Sequence, residues 1–150
     1  MSQLNSSIRF SGVSLPVSDL ERSVAFYRQL GFEVRITNDR LRFVLLGLGA
    51  GSLGLLEVRG SGPEETNLPK KLRTLVQIEL ETDDLDGLYQ NFVQAGVPVP
   101  TPPRDRGFER SMQCRDPDGF TVEFAQGKRG HNATDPECWN EPLGGRPPVT

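Results

Sequence analysis

Histidine is nearly missing from this chain of 150 residues, which has one, His131, along with two cysteines, one tryptophan and two tyrosines. Each shortage excludes something. A single imidazole leaves no way to assemble a site from several histidines. Cys114 and Cys138 stand in no C-x-x-C spacing, which points to a reducing cytoplasm rather than a disulfide framework. Basic charge is also short, with 17 Lys and Arg against 20 Asp and Glu for a net charge of −3. No positive field is available to attract nucleic acid or an anionic membrane, so neither is an expected partner. Long apolar runs are absent too: residues 43–56 are the most apolar stretch, and Gly47, Gly49, Gly51, Ser52 and Gly54 interrupt them well short of a membrane span. The first ten residues lack the basic and apolar regions of a secretory signal, so a cytoplasmic location is expected.

What the chain does have is a duplication. Residues 18–34 return as residues 83–99, with Asp19, Leu20 and Gly31 matched by Asp84, Leu85 and Gly96, each 65 positions on. Two copies at so long a period read as two fused modules, since a solenoid needs three or more stacked units. In the first copy, Val13, Leu15 and Val17 alternate as on a half-buried strand. Ser18 and Glu21 then have the spacing of a capping box, Leu20, Val24 and Tyr27 follow at helical spacing, and Gly31 supplies the stop. Residues 32–37, 41–46 and 53–58 are the next extended candidates. The second copy repeats the order, with a strand at 75–81, a helix at 85–95, and strands at 97–101, 111–115 and 120–124. Asp116-Pro-Asp-Gly119 makes a tight turn before the last strand. Each module therefore reads β-α-β-β-β, an α+β chain. The expected organisation is one domain over residues 1–126, with modules at about 8–60 and 72–126, a linker at 61–71, and a Pro- and Gly-rich tail at 127–150.

The doubled strand-helix unit, with Val-Ser-Asp-Leu-Glu-Arg-Ser-Val-Ala-Phe-Tyr, Leu-Gly-Phe and a late Asp-Pro-Asp-Gly-Phe-Thr-Val-Glu123, resembles the vicinal oxygen chelate superfamily. That group includes glyoxalase I, bleomycin-resistance proteins, fosfomycin-resistance enzymes and extradiol dioxygenases. The resemblance runs from about residue 8 to 126 and implies two tandem βαβββ modules forming a half-open, eight-stranded, barrel-like cleft. It also implies a homodimer. Where such proteins hold a metal, the resemblance places ligands on the first and fourth strands of each module, here Gly12, Glu57, Gln77 and Glu123. No histidine stands at any of these places, and Gly12 has no ligating side chain.

Strand parity bears on the same residues. If Val76, Ile78 and Leu80 face the helix, then Gln77, Glu79 and Glu81 face the cleft, and so do Thr121 and Glu123; Glu57 is expected there in the same pattern. Carboxylates gathered in a partly desolvated hollow call for something positive: a divalent metal, a basic ligand, or arginines such as Arg35, Arg42, Arg104, Arg106 and Arg110. Two glutamates and a glutamine form an oxygen-only set suited to Mg, Ca or Mn. His131 lies beyond the last strand and reads as idle, and both cysteines read as structural.

Two readings follow, and whether the chain is an enzyme stays open. In the first, a small basic or aromatic molecule is bound without chemistry or cofactor, in the manner of the antibiotic-resistance proteins that act by sequestration. Glu57, Gln77, Glu79 and Glu123 would orient it, and Phe10, Leu55, Phe108 and Arg110 would add contacts. In the second, Glu57, Gln77 and Glu123 hold a divalent metal in a lyase or isomerase of the glyoxalase kind.

Overall fold

The computed structural model describes residues 10–58, 73–107 and 109–127. The expected linker, the tail with His131 and Cys138, and Phe108 lie outside them. The chain divides into two compact units, Met1–Asn67 and Leu68–Thr150.

In the first unit, β1 (Val13–Val17) leads into α1 (Leu20–Gln29), followed by β2 (Glu33–Asn38), β3 (Phe43–Leu48) and β4 (Gly51–Glu57). The sheet order is β1-β4-β3-β2, with β1 and β4 parallel and the other pairs antiparallel. The second unit has the same plan: β5 (Gln77–Glu81), α2 (Leu85–Ala95), β6 (Thr101–Asp105), β7 (Glu109–Arg115) and β8 (Thr121–Gly127), in the order β5-β8-β7-β6. Two tandem βαβββ modules are thus present, the helix of each (α1, α2) accompanying a four-stranded mixed sheet. Among the described residues no helix is long and apolar enough to cross a membrane.

Each helix buries one stripe on one face of its own sheet. Leu20 and Tyr27 of α1 join Leu15, Val17, Val44, Leu46, Leu53 and Leu55 in the first core, where Tyr27 packs edge-on against Phe26 and Phe32. Leu85 and Phe92 of α2 join Met112, Cys114, Val122 and Phe124 in the second, with the Phe92 and Phe124 rings 5.2 Å apart. Such cores supply most of the stability of short helices that would not persist alone.

The cap of α1 differs from expectation, whereas α2 starts at Leu85 as expected. Asp19, not Ser18, is the N-cap of α1, accepting a hydrogen bond from Arg22 N at 3.0 Å, and Asp84 does the same for α2 through Gly87 N at 2.9 Å. A carboxylate at this position satisfies an orphan N–H and also meets the positive end of the helix dipole. Gly96 ends α2 at φ 71, the left-handed conformation that glycine adopts without strain.

The strand expected at 97–101 instead occupies Thr101–Asp105 and contains Pro102 and Pro103. It is an edge strand whose pairing with β7 slips between Thr101 and Arg104, so the two missing N–H donors cost no ladder hydrogen bond in the sheet interior. The turn at Asp116-Pro-Asp-Gly119 forms as expected: Asp116 Oδ1 accepts from the N–H groups of Asp118 and Phe120, each at 2.9 Å, and Gly119 has φ 92.

Candidate ligand-binding face

Cross-strand partners share a face, so the register sorts every strand residue into a helix-packed and a helix-free set. In the second unit Ile78, Leu80, Val122, Phe124, Met112 and Cys114 lie on the helix side. The helix-free side carries Gln77, Glu79 and Glu81 of β5, Thr121 and Glu123 of β8, and Glu109, Ser111, Gln113 and Arg115 of β7. One rung across this face reads Glu79, Glu123, Gln113. Glu123 is buried, and its Oε2 accepts hydrogen bonds from Gln113 Nε2 at 2.8 Å and Arg106 Nη1 at 3.3 Å. Glu109 is 7% exposed on the same face. Burial, followed by repulsion from Glu123 and more weakly from Glu79 and Glu81, pushes its carboxyl group above the ordinary range, with Arg106 pulling in the other direction.

The first unit is arranged differently. Val17 pairs with Glu57 and Leu15 with Leu55, which puts both β4 residues on the helix side. Glu57 Oε2 accepts from the first helical amide, Leu20 N, at 2.9 Å, and its two oxygens take Arg42 Nε at 3.0 Å and Nη2 at 2.8 Å. Arg42 is held at φ 52, and the hydrogen bonds to Glu57 and then to Glu21 raise the affinity of its guanidinium for its proton. Leu55 is fully buried in the core. The helix-free face here is formed by Ser14, Pro16, Phe43, Leu45, Gly54 and Leu56, and a Cβ at Gly54 would run into Ser14 Oγ and the Phe43 ring.

Three of the residues expected to line a ligand site are therefore placed elsewhere. Glu57 clasps a helix start, and Leu55 is core. Arg110 pairs on the helix side with Asp86 in the first turn of α2, at 2.6 and 2.9 Å, holding that carboxylate below its ordinary range. Gln77, Glu79 and Glu123 share the helix-free face of the second sheet. Phe10 is 88% exposed ahead of β1, and Phe108 lies outside the described residues.

The error at Glu57 is one of register. Helix start Leu85 follows Leu20 by 65 residues, but the side chain that caps it is Gln126, whose Oε1 accepts from Leu85 N at 2.9 Å, 69 residues after Glu57. The same shift makes Gly54, paired with Ser14, the counterpart of Glu123, paired with Glu79. The oxygens of Glu57 thus serve an amide and a guanidinium within the first unit. Among the described residues no three His, Cys, Asp or Glu side chains converge as a ligand set would.

Glu109 is a site residue outside those expected from the sequence. Its signal was alternation: Glu109, Ser111, Gln113 and Arg115 are polar, whereas Met112 and Cys114 are apolar. The strand expected at 111–115 begins two residues earlier, at Glu109.

A fold of paired βαβββ modules with a polar helix-free sheet face defines the class to which this chain is similar. The family model described as Glyoxalase/Bleomycin resistance protein/Dioxygenase superfamily matches residues 9–124, and the chain belongs to that superfamily. Among solved structures, it is similar to the glyoxylase/bleomycin resistance protein/dioxygenase domain from Frankia sp. EAN1pec, with 28% identity and a TM-score of 0.66 over 84% of this chain and 96% of that one. It is similar to UcmS2 at 27% identity and a TM-score of 0.63, covering 79% of this chain and 97% of that one. Lactoylglutathione lyase from Agrobacterium tumefaciens shares the fold, at 24% identity and a TM-score of 0.63 over 80% and 94% of the two chains. Comparison with curated proteins gave no significant match.

Proposed function

We propose that this superfamily member is a small-molecule binding protein whose ligand lies against the helix-free face of the second sheet and is held there without a histidine-type metal site. The observation that carries this reading is the gathering of Glu79, Glu81, Glu109 and Glu123 on one face, with Glu109 and Glu123 buried. Buried carboxylates of like charge favour a partner that supplies positive charge or hydrogen-bond donors, which supports a basic, flat ligand. Sequestration of such a molecule, an antibiotic-resistance role, a cytoplasmic location and a homodimeric state belong to the same proposal. Titration calorimetry against a panel of basic aromatic antibiotics tests it: saturable binding that Glu123→Ala weakens supports it, and no heat from any of them counts against it.

The divalent-metal lyase reading keeps one point of support. Gln77 and Glu123 share the helix-free face on neighbouring strands, so two of its three donors are together. Metal analysis of the purified protein, with activity assays after addition of Mg, Mn, Ni or Zn, separates the two readings.

A further inference from the structure

Glycines that interrupt the most apolar stretch of the chain gather around one guanidinium in the first unit. In the pairing of β2 with β3 the register shifts between Val34 and Ile36, which leaves Arg35 as the extra residue of a β-bulge, a device that re-aims the side chain it carries. The Arg35 side chain runs over Gly47, where a Cβ would collide with Nε, Cζ and Nη2. Its Nη2 donates to Gly49 O at 2.6 Å, and its Nη1 donates to Ser52 Oγ at 3.0 Å and to Gly51 O at 3.3 Å. All three acceptors are neutral. Arg35 makes no ion pair among the described residues, although Glu33 is the register partner of Gly47. Nη1 thus donates twice and Nη2 once, which leaves Nε–H and one N–H of Nη2 unspent. An exposed charge is held in a fixed orientation without being neutralised.

The surface beside this charge is apolar. Gly47 and Ser52 form one rung of the helix-free face; the next reads Ile36, Leu45, Gly54, and the one after it Asn38, Phe43, Leu56. Ile36 is 55% exposed and Leu56 42%, and the Phe43 ring leans over Gly54. An oriented guanidinium with two N–H groups to spare matches the two oxygens of a carboxylate, and the adjoining rungs match a flat hydrocarbon surface. One guanidinium balances one negative charge, and Glu33 close by disfavours a second, so a carboxylate fits better than a dianionic phosphate. We propose that Arg35 and the apolar rungs next to it bind a planar aromatic carboxylate, with its oxygens on the guanidinium and its ring over Ile36 and Leu45. The site lies wholly within the first unit and stands or falls independently of the basic-ligand face of the second sheet.

The test is a titration of the full-length, ¹⁵N-labelled protein with 2-naphthoate, 2-naphthylmethanol and acetate as probes, followed by NMR. The naphthoate is expected to shift the Arg35 Nε–H and the Ile36 and Leu45 N–H resonances saturably. The alcohol keeps the ring without the charge, and acetate keeps the charge without the ring. Each is expected to bind about fivefold more weakly or worse, as loss of an oriented, partly exposed ion pair or of the ring's apolar contact implies. Arg35→Gln keeps a side-chain donor for the turn but loses the charge, and is expected to weaken the naphthoate about fivefold while leaving the alcohol unchanged; an arginine that only braces the turn would change both alike or neither. Equal binding of naphthoate and alcohol overturns the proposal, and this comparison needs wild-type protein alone, whatever the variant does to the fold. Undiminished naphthoate binding by Arg35→Gln overturns it too, as do shifts confined to the second sheet or no shift at all. Glu123→Ala is expected to keep full affinity for the naphthoate, and a loss there would count against the site; failure of the basic aromatic panel leaves it standing.

Discussion

Replacing Glu57 discriminates between a residue that builds the fold and one that holds a ligand. In Glu57→Ala the amide of Leu20 loses its acceptor at 2.9 Å, and Arg42 keeps only the exposed Glu21. Loss of a capping acceptor costs about 1–2 kcal/mol, and this carboxylate is charged, lies at a helix start and is only 16% exposed, so the upper end applies. A loss of about 2 kcal/mol lowers the midpoint of thermal unfolding by roughly 4–8 °C in a chain of this length. Glu57→Gln keeps an oxygen for Leu20 and gives up only the ion pair, and Gln126 shows that an amide serves in this role at Leu85. It should cost under about 1 kcal/mol, the usual worth of a partly exposed ion pair. Urea denaturation monitored by far-UV circular dichroism, with the slope compared between variants, measures both. Wild-type stability in Glu57→Ala, or equal losses in the two variants, would refute the reasoning. Either variant changing the affinity of a ligand that the Glu123→Ala variant also weakens would do the same.

Three further outcomes follow from the geometry. Gly54→Ala should destabilise by about 1–3 kcal/mol, the usual cost of overpacking, because the new methyl meets Ser14 Oγ and the Phe43 ring; denaturant titration checks it. Burial, with repulsion from Asp116, pushes the Cys114 thiol up to about 11, so iodoacetamide at pH 8 should leave it unmodified until denaturant is added, as peptide mass spectrometry would show. The Glu109 carboxyl group is raised in the fold, so the native state holds its proton after the unfolded chain has lost it. Stability from this group therefore falls as pH rises from the ordinary carboxylate value through the folded one. Glu109→Gln removes that dependence, and its advantage over wild type in thermal unfolding should grow from pH 4 to pH 7; a constant or reversed difference contradicts the assignment.

The architecture was legible because the signals that set it are local and doubled. The Asp-Leu starts, the apolar stripes and the glycine stops of both helices occur at the same offset, and α2 formed at the expected residues. The helix-free face of the second sheet was legible as well, because Gln77, Glu79 and Glu81 alternate with Ile78 and Leu80. The fourth strand of the first module gave no such contrast. In Leu53-Gly54-Leu55-Leu56 apolar residues occupy both faces and give no contrast to fix parity, and matching Glu57 to Glu123, 66 residues on, pairs two residues that the strand register puts on different faces. The true offset is 69 there because the second module has gained residues ahead of its last strand, and only hydrogen-bonded register reveals that. Likewise, the strand expected at 97–101 forms at Thr101–Asp105, where the sheet order puts Pro102 and Pro103 at an edge.

The clasp that Glu57 and Gln126 make on the two helix starts has a consequence for how each half is assembled. Leu20 is separated in sequence from Glu57 by nearly the whole first module, and Leu85 from Gln126 by nearly the whole second. A helix of ten or eleven residues is marginal in isolation. Beside the local caps Asp19 and Asp84, each helix start therefore takes a second acceptor from the last strand of its module, so truncation of that strand removes a contact at the opposite end of the sequence of the module. A carboxylate serves as that acceptor in the first unit and an amide in the second, because either supplies the one oxygen that the helix-start N–H requires.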